Sequence, residues 1–357
     1  DAGAGDMDEE KIASRLADTG AQLGGSTDLD RASVSLRTLS SAPERTAALD
    51  LLQNILQRPT FPAESLAREK ARTVASIKEQ DTQPDSIATK RFYAAIYPDH
   101  PYGYNATADS VKAIERDDVV RFYRSFYAAS RSTVAIVGDV TRSEAEAIAL
   151  KLTENLPRSG AETVVPEVKL PQRGTVTVAH PASQSHIFLG LPGLKRQDPD
   201  YFPLLVGNYV LGGGGFVSRL VTEVREKRGY AYNAYSYFLP NKELGPFEIG
   251  LQTKREQSED ALKVVDATLQ AFLKNGPTAD ELKRAKQNIV DGFALRIDSN
   301  KKLLEYVSMI GFYGLGLDYL EDYPKQVAKV TAAQVRDAFA RRIRPENMVT
   351  VIVAGKN

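Results

Sequence analysis

The second half of this sequence repeats the helix and strand pattern of the first half at a nearly constant distance. Residues 66–70 align with residues 282–286, a shift of 216. The apolar run that ends at Gly138 matches the run that ends at Gly355, a shift of 217. A constant offset over this length indicates duplication of one folding unit. The sequence therefore predicts two similar domains.

The first copy mixes helical and strand patterns. Ala32, Val34 and Leu36 alternate with polar side chains, as in a strand with one wetted face. A second predicted strand, residues 133–137, is closed by Gly138. Apolar spacing and proline breaks predict helices over residues 6–19, 43–57, 63–80 and 85–97.

Composition excludes several classes of protein. The 357 residues include 46 basic and 46 acidic side chains, and no lysine-rich block provides the basic surface typical of nucleic-acid binding, so we expect no nucleic-acid partner. No stretch approaches the roughly 18–20 apolar residues that span a bilayer, so we expect no membrane insertion. The absence of cysteine excludes disulfides and thiolate metal sites.

The repeat also predicts that the sequence starts inside its first domain. The second copy begins near Arg173, with predicted strands over residues 175–179 and 187–191 and a predicted helix over residues 201–211. The same offset places the matching elements of the first copy before Asp1. We therefore expect a strand pair and a core helix of the first domain to lie ahead of Asp1.

The stretch from Gly212 to Tyr232 has the most distinctive local pattern. Its four consecutive glycines allow backbone conformations or close approaches that a Cβ atom would prevent. A short helix follows and is expected to end at Gly229, where a tyrosine-rich strand begins. Arg225 at the helix end and Tyr232 at the strand start are therefore expected to converge on one spot.

These motifs, in this order, resemble the M16 zinc metallopeptidases, the family of pitrilysin and the mitochondrial processing peptidase. The C-terminal family signature is similar to residues 211–214, 218–220 and 225–232. The N-terminal family domain is similar to residues 2–5, 23–25, 69–79 and 98–103. The resemblance implies two homologous α+β domains, each an antiparallel sheet flanked by helices, which enclose a peptide between them. The predicted domains cover residues 1–160 and 173–357.

Catalysis in this family requires an HxxEH motif on a helix, in which two histidines bind zinc and the glutamate activates water. The three histidines, His100, His180 and His186, do not form this motif, and their spacing favours surface or loop positions over metal binding. The resemblance places the motif just before Asp1. Its absence from the sequence therefore decides nothing about catalysis.

The third zinc ligand of the family provides a sharper test. Family members carry two glutamates seven residues apart on a helix, and the second glutamate binds zinc. Glu69 matches the first, but the ligand position holds Ser76, whose neutral hydroxyl does not replace a carboxylate on a divalent cation. Glu79 points about 60° away around the helix. The resemblance therefore implies a degenerate zinc site at Ser76 and no metal in this chain.

The substrate-binding part of the family signature is intact. In the family, an arginine and a tyrosine hold the substrate peptide, and Arg225 and Tyr232 match them, with Gly212, Gly213 and Gly214 as an adjacent wall. A guanidinium offers fixed donors to a peptide carbonyl, and a phenol adds one more. In the structural alternative, Arg225 neutralises a helix end and Tyr232 packs in a sheet.

The sequence thus predicts a noncatalytic subunit of a heterodimeric M16 peptidase. It would bind a peptide or unfolded polypeptide for a catalytic partner that carries HxxEH and zinc. Two alternatives stay open: a self-sufficient zinc endopeptidase whose HxxEH lies ahead of Asp1, and a purely structural core-type subunit. The resemblance to short bacterial members implies a periplasmic location, and a cytoplasmic one is also compatible.

Overall fold

The computed structural model describes residues 2–161 and 163–354, and its strands are short in the first half and longer in the second. In chain order the strands are β1 (Gly3–Ala4), β2 (Met7–Asp8), β3 (Gln22–Thr27), β4 (Ala32–Arg37), β5 (Gly174–Ala179), β6 (Gln184–Leu194), β7 (Ala231–Phe238), β8 (Gly245–Lys254) and β9 (Val349–Ala354).

Helices occupy most of the remaining chain. They are α1 (Glu9–Asp18), α2 (Ala42–Gln57), α3 (Ala63–Gln80), α4 (Pro84–Ile96), α5 (Ala108–Lys112), α6 (Arg116–Phe126), α7 (Arg142–Thr153), α8 (Tyr201–Asn208), α9 (Ser258–Asn275), α10 (Ala279–Asp291), α11 (Asn300–Tyr313), α12 (Tyr319–Lys329) and α13 (Ala332–Arg342). Across residues 2–161 and 163–354, none of them is both long enough and apolar enough to cross a membrane.

The helix bounds reproduce the repeat that the sequence predicts. Helices α3 and α10 start 216 residues apart, and so do α4 and α11, and α6 and α13. The N-terminal caps correspond for the last of these pairs, because Glu115 and Thr331 lie 216 residues apart and each forms a capping box at the start of its helix. The predicted duplication is therefore visible in the positions of the helices as well as in the residues.

The predicted strand over residues 133–137 is wrong, because this segment has no strand structure among the described residues. A strand is defined by pairing, and the matching segment of the second copy, β9, pairs with both β5 and β6. The offset gives β5 and β6 no counterparts within the described part of the first copy. An apolar run alone was therefore not sufficient to predict a strand. Gly355, which closes the matching run, lies outside the described residues.

The chain forms two compact units that interleave in sequence. The first contains residues 1–78, 106–164 and 297–314, and the second contains residues 79–105, 165–296 and 315–357. Helix α4 of the first copy therefore belongs to the second unit, and α11 of the second copy belongs to the first. The predicted domains, residues 1–160 and 173–357, follow the sequence repeat and not these compact units. The domain bounds therefore stay a prediction.

The first unit is built around a small helical core. Ala4, Met7, Ile12 and Leu51 are buried together, with Leu16 and Ile55 packed against them. The predicted strand at residues 32–37 is confirmed as β4, which pairs antiparallel with β3 to form a two-stranded sheet. Ser76 lies in this unit, exposed on α3.

The second unit contains a five-stranded sheet in the order β5-β9-β6-β8-β7. The β6–β8, β6–β9 and β7–β8 pairs are antiparallel, and β5 runs parallel to β9. Strand β7 therefore forms one edge of this sheet. The structure confirms the α+β class, with sheets flanked by helices.

Helices cover both faces of this sheet. On one face, α4 packs Phe92, Ile96 and Tyr97 against Val349 and Val351 of β9. On the other face, Phe339 of α13 contacts the rings of three other phenylalanines, Phe238, Phe247 and Phe272. Large apolar side chains thus anchor the sheet from both sides, which fixes the position of its edge strand β7.

Candidate functional site

The glycine run lies directly against edge strand β7. Residues 209–213 form one turn of π-helix, and residues 215–217 form a 3-10 turn. A Cβ atom on Gly212 would lie 2.4 Å from the backbone nitrogen of Ser236, so only glycine allows this approach. Gly215 has a φ of +60°, a left-handed conformation that reverses the chain toward Phe216.

A pair of side-chain hydrogen bonds fixes this contact. The Asn208 side-chain amide donates to the Ser236 carbonyl oxygen at 2.9 Å, and the Ser236 hydroxyl donates to Asn208 Oδ1 at 2.7 Å. Gly214 closes the turn, because its N–H donates to the carbonyl of Tyr209 at 2.9 Å. Of the three glycines that the sequence suggests as a wall, Gly212 and Gly213 border a cleft of ≈ 400 Å³, and Gly214 does not. The separate cleft that Arg225 and Tyr232 border is lined by Gly215 and by none of these three glycines.

The next turn places Arg225 beside the start of β7. Leu220 and Val224 are fully buried and hold residues 221–226 on the core. Gly229 has a φ of +63°, and its N–H donates to the Arg225 carbonyl at 2.8 Å, while the Tyr230 N–H donates to the Val224 carbonyl at 3.0 Å. This glycine stop of the kind found at helix ends confirms the predicted end at Gly229.

A β-bulge presents Tyr232 to solvent. Ala231 pairs with Thr253 and Ala234 pairs with Leu251, so Tyr232 and Asn233 together face the single residue Gln252. A bulge lets two consecutive side chains point to the same side. Tyr232 is 84% exposed as a result.

Arg225 is held between two aromatic rings. Its Cζ atom lies 4.8 Å from the centre of the Phe216 ring and 4.9 Å from the centre of the Tyr232 ring, a cation–π contact with each ring. Among residues 2–161 and 163–354, no hydrogen bond or ion pair engages its guanidinium. The rings therefore restrain the plane of the guanidinium and leave its N–H groups available to an acceptor.

The cleft beside this sandwich has mixed polarity. It encloses ≈ 630 Å³ and is also bordered by Asp85 and Thr89 of α4 and His186 of β6. Burial lowers the pKa of His186, and the nearby Asp85 carboxylate opposes that shift. The cleft thus combines one permanent cation, one carboxylate and several neutral donors, which suits a polar, extended ligand such as a peptide backbone.

Arg219 of the same segment has a structural role. Its guanidinium forms two hydrogen bonds to the Glu281 carboxylate at 2.8 and 2.7 Å and a third to the Gly276 carbonyl at 3.0 Å. It also lies 5.1 Å from the centre of the Phe272 ring. These hydrogen bonds lower the pKa of Glu281 to about 2. The pair anchors the segment that carries Arg225 to helices α9 and α10.

A buried carboxyl group fixes the tyrosines that follow the bulge. Glu248 is 3% exposed and accepts hydrogen bonds from the hydroxyls of Tyr237 at 2.8 Å and Tyr235 at 3.4 Å. Burial raises the pKa of Glu248, and these two hydrogen bonds oppose the shift. Burial also raises the pKa of Tyr93 on α4 to about 12. It likewise raises the pKa values of Tyr235 and Tyr237, which are therefore neutral, oriented parts of the wall.

The other histidines satisfy backbone groups. His100 is buried, with Nε2 2.9 Å from the Pro166 carbonyl and Nδ1 accepting the Tyr102 N–H at 3.1 Å. His180 Nε2 lies 3.0 Å from the Thr82 carbonyl. Both rings thus contact backbone groups, whereas His186 lies in strand β6 and borders the cleft.

The residues described do not fit a zinc ion at the position of Ser76. Glu69 is directed to Arg68 and Arg72, with its carboxylate 2.9 Å from Arg72. Within residues 2–161 and 163–354, no three histidine, cysteine or acidic side chains come together as a possible metal site. We derive no chemical step through a metal in this chain.

Two family models match consecutive parts of the sequence. The model described as insulinase, peptidase family M16, matches residues 3–110, and the model described as the peptidase M16 inactive domain matches residues 113–289. The crystal structure of a peptidase M16 inactive domain from Pseudomonas fluorescens is 37% identical, with a TM-score of 0.96 over 99% of this chain and 85% of that one. The chain belongs to the M16 peptidase family.

Curated M16 relatives differ in the activity that their names state. An uncharacterized zinc protease of Streptomyces coelicolor is 28% identical over 308 residues, which are 83% of this chain and 66% of that protein. The non-peptidase homolog YmxG of Helicobacter pylori is 23% identical over 323 residues, 87% of this chain and 72% of that protein. This M16 chain therefore spans about two thirds of the length of the curated relatives it matches.

Sequence reasoning missed three residues of the M16 cleft. Phe216 contacts Arg225 because Gly215 adopts a left-handed conformation just before it, and no periodic pattern around Phe216 indicates this contact. Asp85 and His186 lie far from the signature in sequence and reach the cleft through α4 and β6. The sequence does not reveal that α4 packs in the second unit, because a helical pattern does not indicate which sheet the helix covers.

Proposed function

We propose that this chain is a noncatalytic M16 subunit that binds an extended peptide or unfolded polypeptide and presents it to a zinc-bearing M16 partner. The observation that carries the proposal is the Arg225 guanidinium, restrained between Phe216 and Tyr232 with no acceptor among the described residues. A peptide carbonyl is an acceptor that matches these donors.

Further support comes from the degenerate position at Ser76 and from the name of the Helicobacter pylori relative, a non-peptidase homolog. The matching family model and the Pseudomonas fluorescens structure are both described as an inactive domain. On this proposal the zinc ion and the HxxEH motif belong to the partner. This chain contributes the binding cleft that completes the peptide chamber.

Binding is tested with fluorescein-labelled β-casein, an unfolded polypeptide, by fluorescence anisotropy. We expect Arg225→Ala to weaken binding about 10- to 100-fold, because a charge-assisted hydrogen bond contributes roughly 1.5–3 kcal/mol. Tyr232→Phe should weaken it less, since one neutral donor is lost. Unchanged affinity in both variants would contradict the proposed role of the cleft.

Arg228→Ala is the matched control. It removes the same charge from the same segment, but Arg228 is already paired with Glu223 at 2.8 Å. We expect its affinity for β-casein to stay within about twofold of the unmodified chain. An equal loss in Arg225→Ala and Arg228→Ala would mean that only net charge attracts the polypeptide.

The partner is tested by affinity purification of this chain from its own cells: on this proposal a zinc-bearing M16 protein co-purifies, and β-casein cleavage is then measured with each protein alone and with both together. Cleavage should require both proteins, and Arg225→Ala should lower the rate at subsaturating substrate. If cleavage by the zinc-bearing protein does not change when this chain is added, the subunit role is wrong. A periplasmic location is part of the proposal and is tested by cell fractionation.

A self-sufficient zinc peptidase is the second candidate, because the Streptomyces coelicolor relative is named a zinc protease. Metal analysis of the protein as it occurs in the cell separates the two functions. Stoichiometric zinc together with β-casein hydrolysis in the absence of a partner would replace the first proposal with the second.

A further inference from the structure

A second cleft adjoins the Arg225 cleft along the edge of β7. It encloses ≈ 400 Å³, and Gly215, Asn233 and Tyr235 border both clefts. The two spaces therefore meet at this wall. A ligand that occupies one of them can continue into the other without leaving the surface of β7.

The lining of the second cleft is apolar and uncharged. Its wall includes six aliphatic, proline or aromatic residues: Leu194, Tyr201, Leu205, Tyr237, Phe238 and Pro240. The described residues that line it carry no charge. Two amide side chains line it, Asn208 and Asn233, and Asn208 already bonds Ser236 through both its nitrogen and its oxygen. The cleft therefore favours a large apolar group over a polar one.

The wall between the two clefts is preorganised. Glu248 holds the hydroxyls of Tyr235 and Tyr237, and the two rings stack with centres 6.0 Å apart at an angle of 10°. A side chain that enters the second cleft meets rings that are already ordered. Binding therefore loses little entropy in the wall, which favours specificity.

The distance between the clefts corresponds to a few residues of an extended peptide. Tyr232 borders the polar cleft and Phe238 borders the apolar one. At about 3.4 Å per residue, the strand between them spans roughly 20 Å, about six residues. A peptide held at Arg225 by a backbone carbonyl would thus place a side chain some three to six residues away in the apolar cleft.

We infer that this apolar cleft is a specificity subsite for a large aliphatic or aromatic side chain of the peptide that Arg225 and Tyr232 hold. The inference rests on the proposed function, because it assumes the same bound peptide. It adds a substrate class: an extended segment with a bulky apolar residue at a fixed distance from the residue bound at Arg225.

The test uses a labelled serine- and glutamine-rich peptide in which one phenylalanine is moved through successive positions. We expect one position, or two adjacent ones, to bind about tenfold more tightly than the peptide without phenylalanine, since burying a large apolar side chain contributes on this order. Leu205→Trp fills the cleft, so the affinity ratio should fall to about one. Leu205→Ala enlarges it, so the preference should move from phenylalanine toward tryptophan.

Leu317→Trp is the matched control, because Leu317 is 97% exposed and the same new side chain fills no cleft there. It should keep the tenfold ratio. If Leu205→Trp folds and keeps the ratio, or if Leu205→Ala leaves the preference unchanged, the subsite assignment is wrong. Failure of the proposed function looks different, because Arg225→Ala would then leave the affinities of all these peptides unchanged.

Discussion

Arg219 and Arg225 lie in one short segment and have opposite surroundings. Arg219 has two carboxylate oxygens, a carbonyl and the Phe272 ring around its guanidinium. Arg225 contacts two aromatic rings and has no acceptor among the described residues. The guanidinium of Arg219 therefore donates its hydrogen bonds within the fold. The guanidinium of Arg225 is restrained in position but has donors to offer, which is the condition for recognising a ligand.

Two glutamates show the same contrast in their response to pH. Hydrogen bonds from Arg219 and Thr278 keep the pKa of Glu281 at about 2. Burial raises the pKa of Glu248, and within residues 2–161 and 163–354 the hydrogen bonds to its carboxyl group come from two phenols. The contribution of the Arg219–Glu281 pair to the free energy of unfolding should therefore fall in acid. The contribution of Glu248 should instead fall as the pH rises.

The largest expected effect comes from Arg219→Ala. This change leaves the Glu281 carboxylate, 21% exposed in the native pair, without its cation, so the free energy of unfolding should fall by about 3 kcal/mol. Urea unfolding at pH 7 measures it. The exposed pair of Lys263 and Asp260 is the control, and Lys263→Ala should cost less than about 0.5 kcal/mol. Equal losses in the two variants would remove the distinction between Arg219 and a surface arginine.

The acid dependence of stability should identify Glu281. Its pKa is lowered from 4.5 to about 2 on folding, so its contribution is present above pH 4.5 and is lost as the pH falls toward 2. Because the Glu281 carboxylate is only partly buried, solvent screening keeps its contribution below the roughly 3 kcal/mol to which such a shift corresponds. The difference in unfolding free energy between the unmodified chain and Glu281→Gln should shrink over this range. A difference that does not change with pH would contradict the lowered pKa.

Phe216→Ala should sharpen the contrast with a smaller effect. Removing one ring of the sandwich should weaken β-casein binding about two- to fivefold, because an exposed cation–π contact contributes roughly 0.5–1 kcal/mol. The unfolding free energy should hardly change, since Phe216 is 69% exposed. Val217, also 69% exposed, supplies the control Val217→Ala, which should bind normally. Loss of stability without loss of affinity would make Phe216 a structural residue.

The smallest expected effect comes from Glu248→Gln. The folded state raises the pKa of Glu248 above 4.5, so the native chain binds its proton more tightly and loses stability as the pH rises through that value. Glutamine keeps an acceptor for Tyr237 and does not ionise. The variant should gain stability relative to the unmodified chain between pH 4.5 and 7, by up to about 1 kcal/mol. A relative loss over the same range would show that the charged form is preferred.

Local patterns predicted the helices, the glycine stop and the convergence of Arg225 with Tyr232. Each of these depends on residues that are near one another in sequence, such as the turn that ends at Gly229. The role of Tyr232 in binding stays a prediction. Residues 133–137 were misassigned because strand formation depends on partners that the local pattern does not contain. Phe216 and Asp85 were missed because a left-handed turn and the packing of α4 bring them to the site.

The bulge in β7 allows the number of exposed residues on this edge strand to change while the pairing of its buried residues stays the same. Ala231 and Ala234 stay paired with Thr253 and Leu251 on the buried side, whatever is placed between them opposite Gln252. A residue could be removed at this point without reversing the faces of the strand residues that follow, as a slip elsewhere in the strand would. On the proposed function, deleting one residue at this point would remove a contact with the peptide, while the sheet beneath keeps its register.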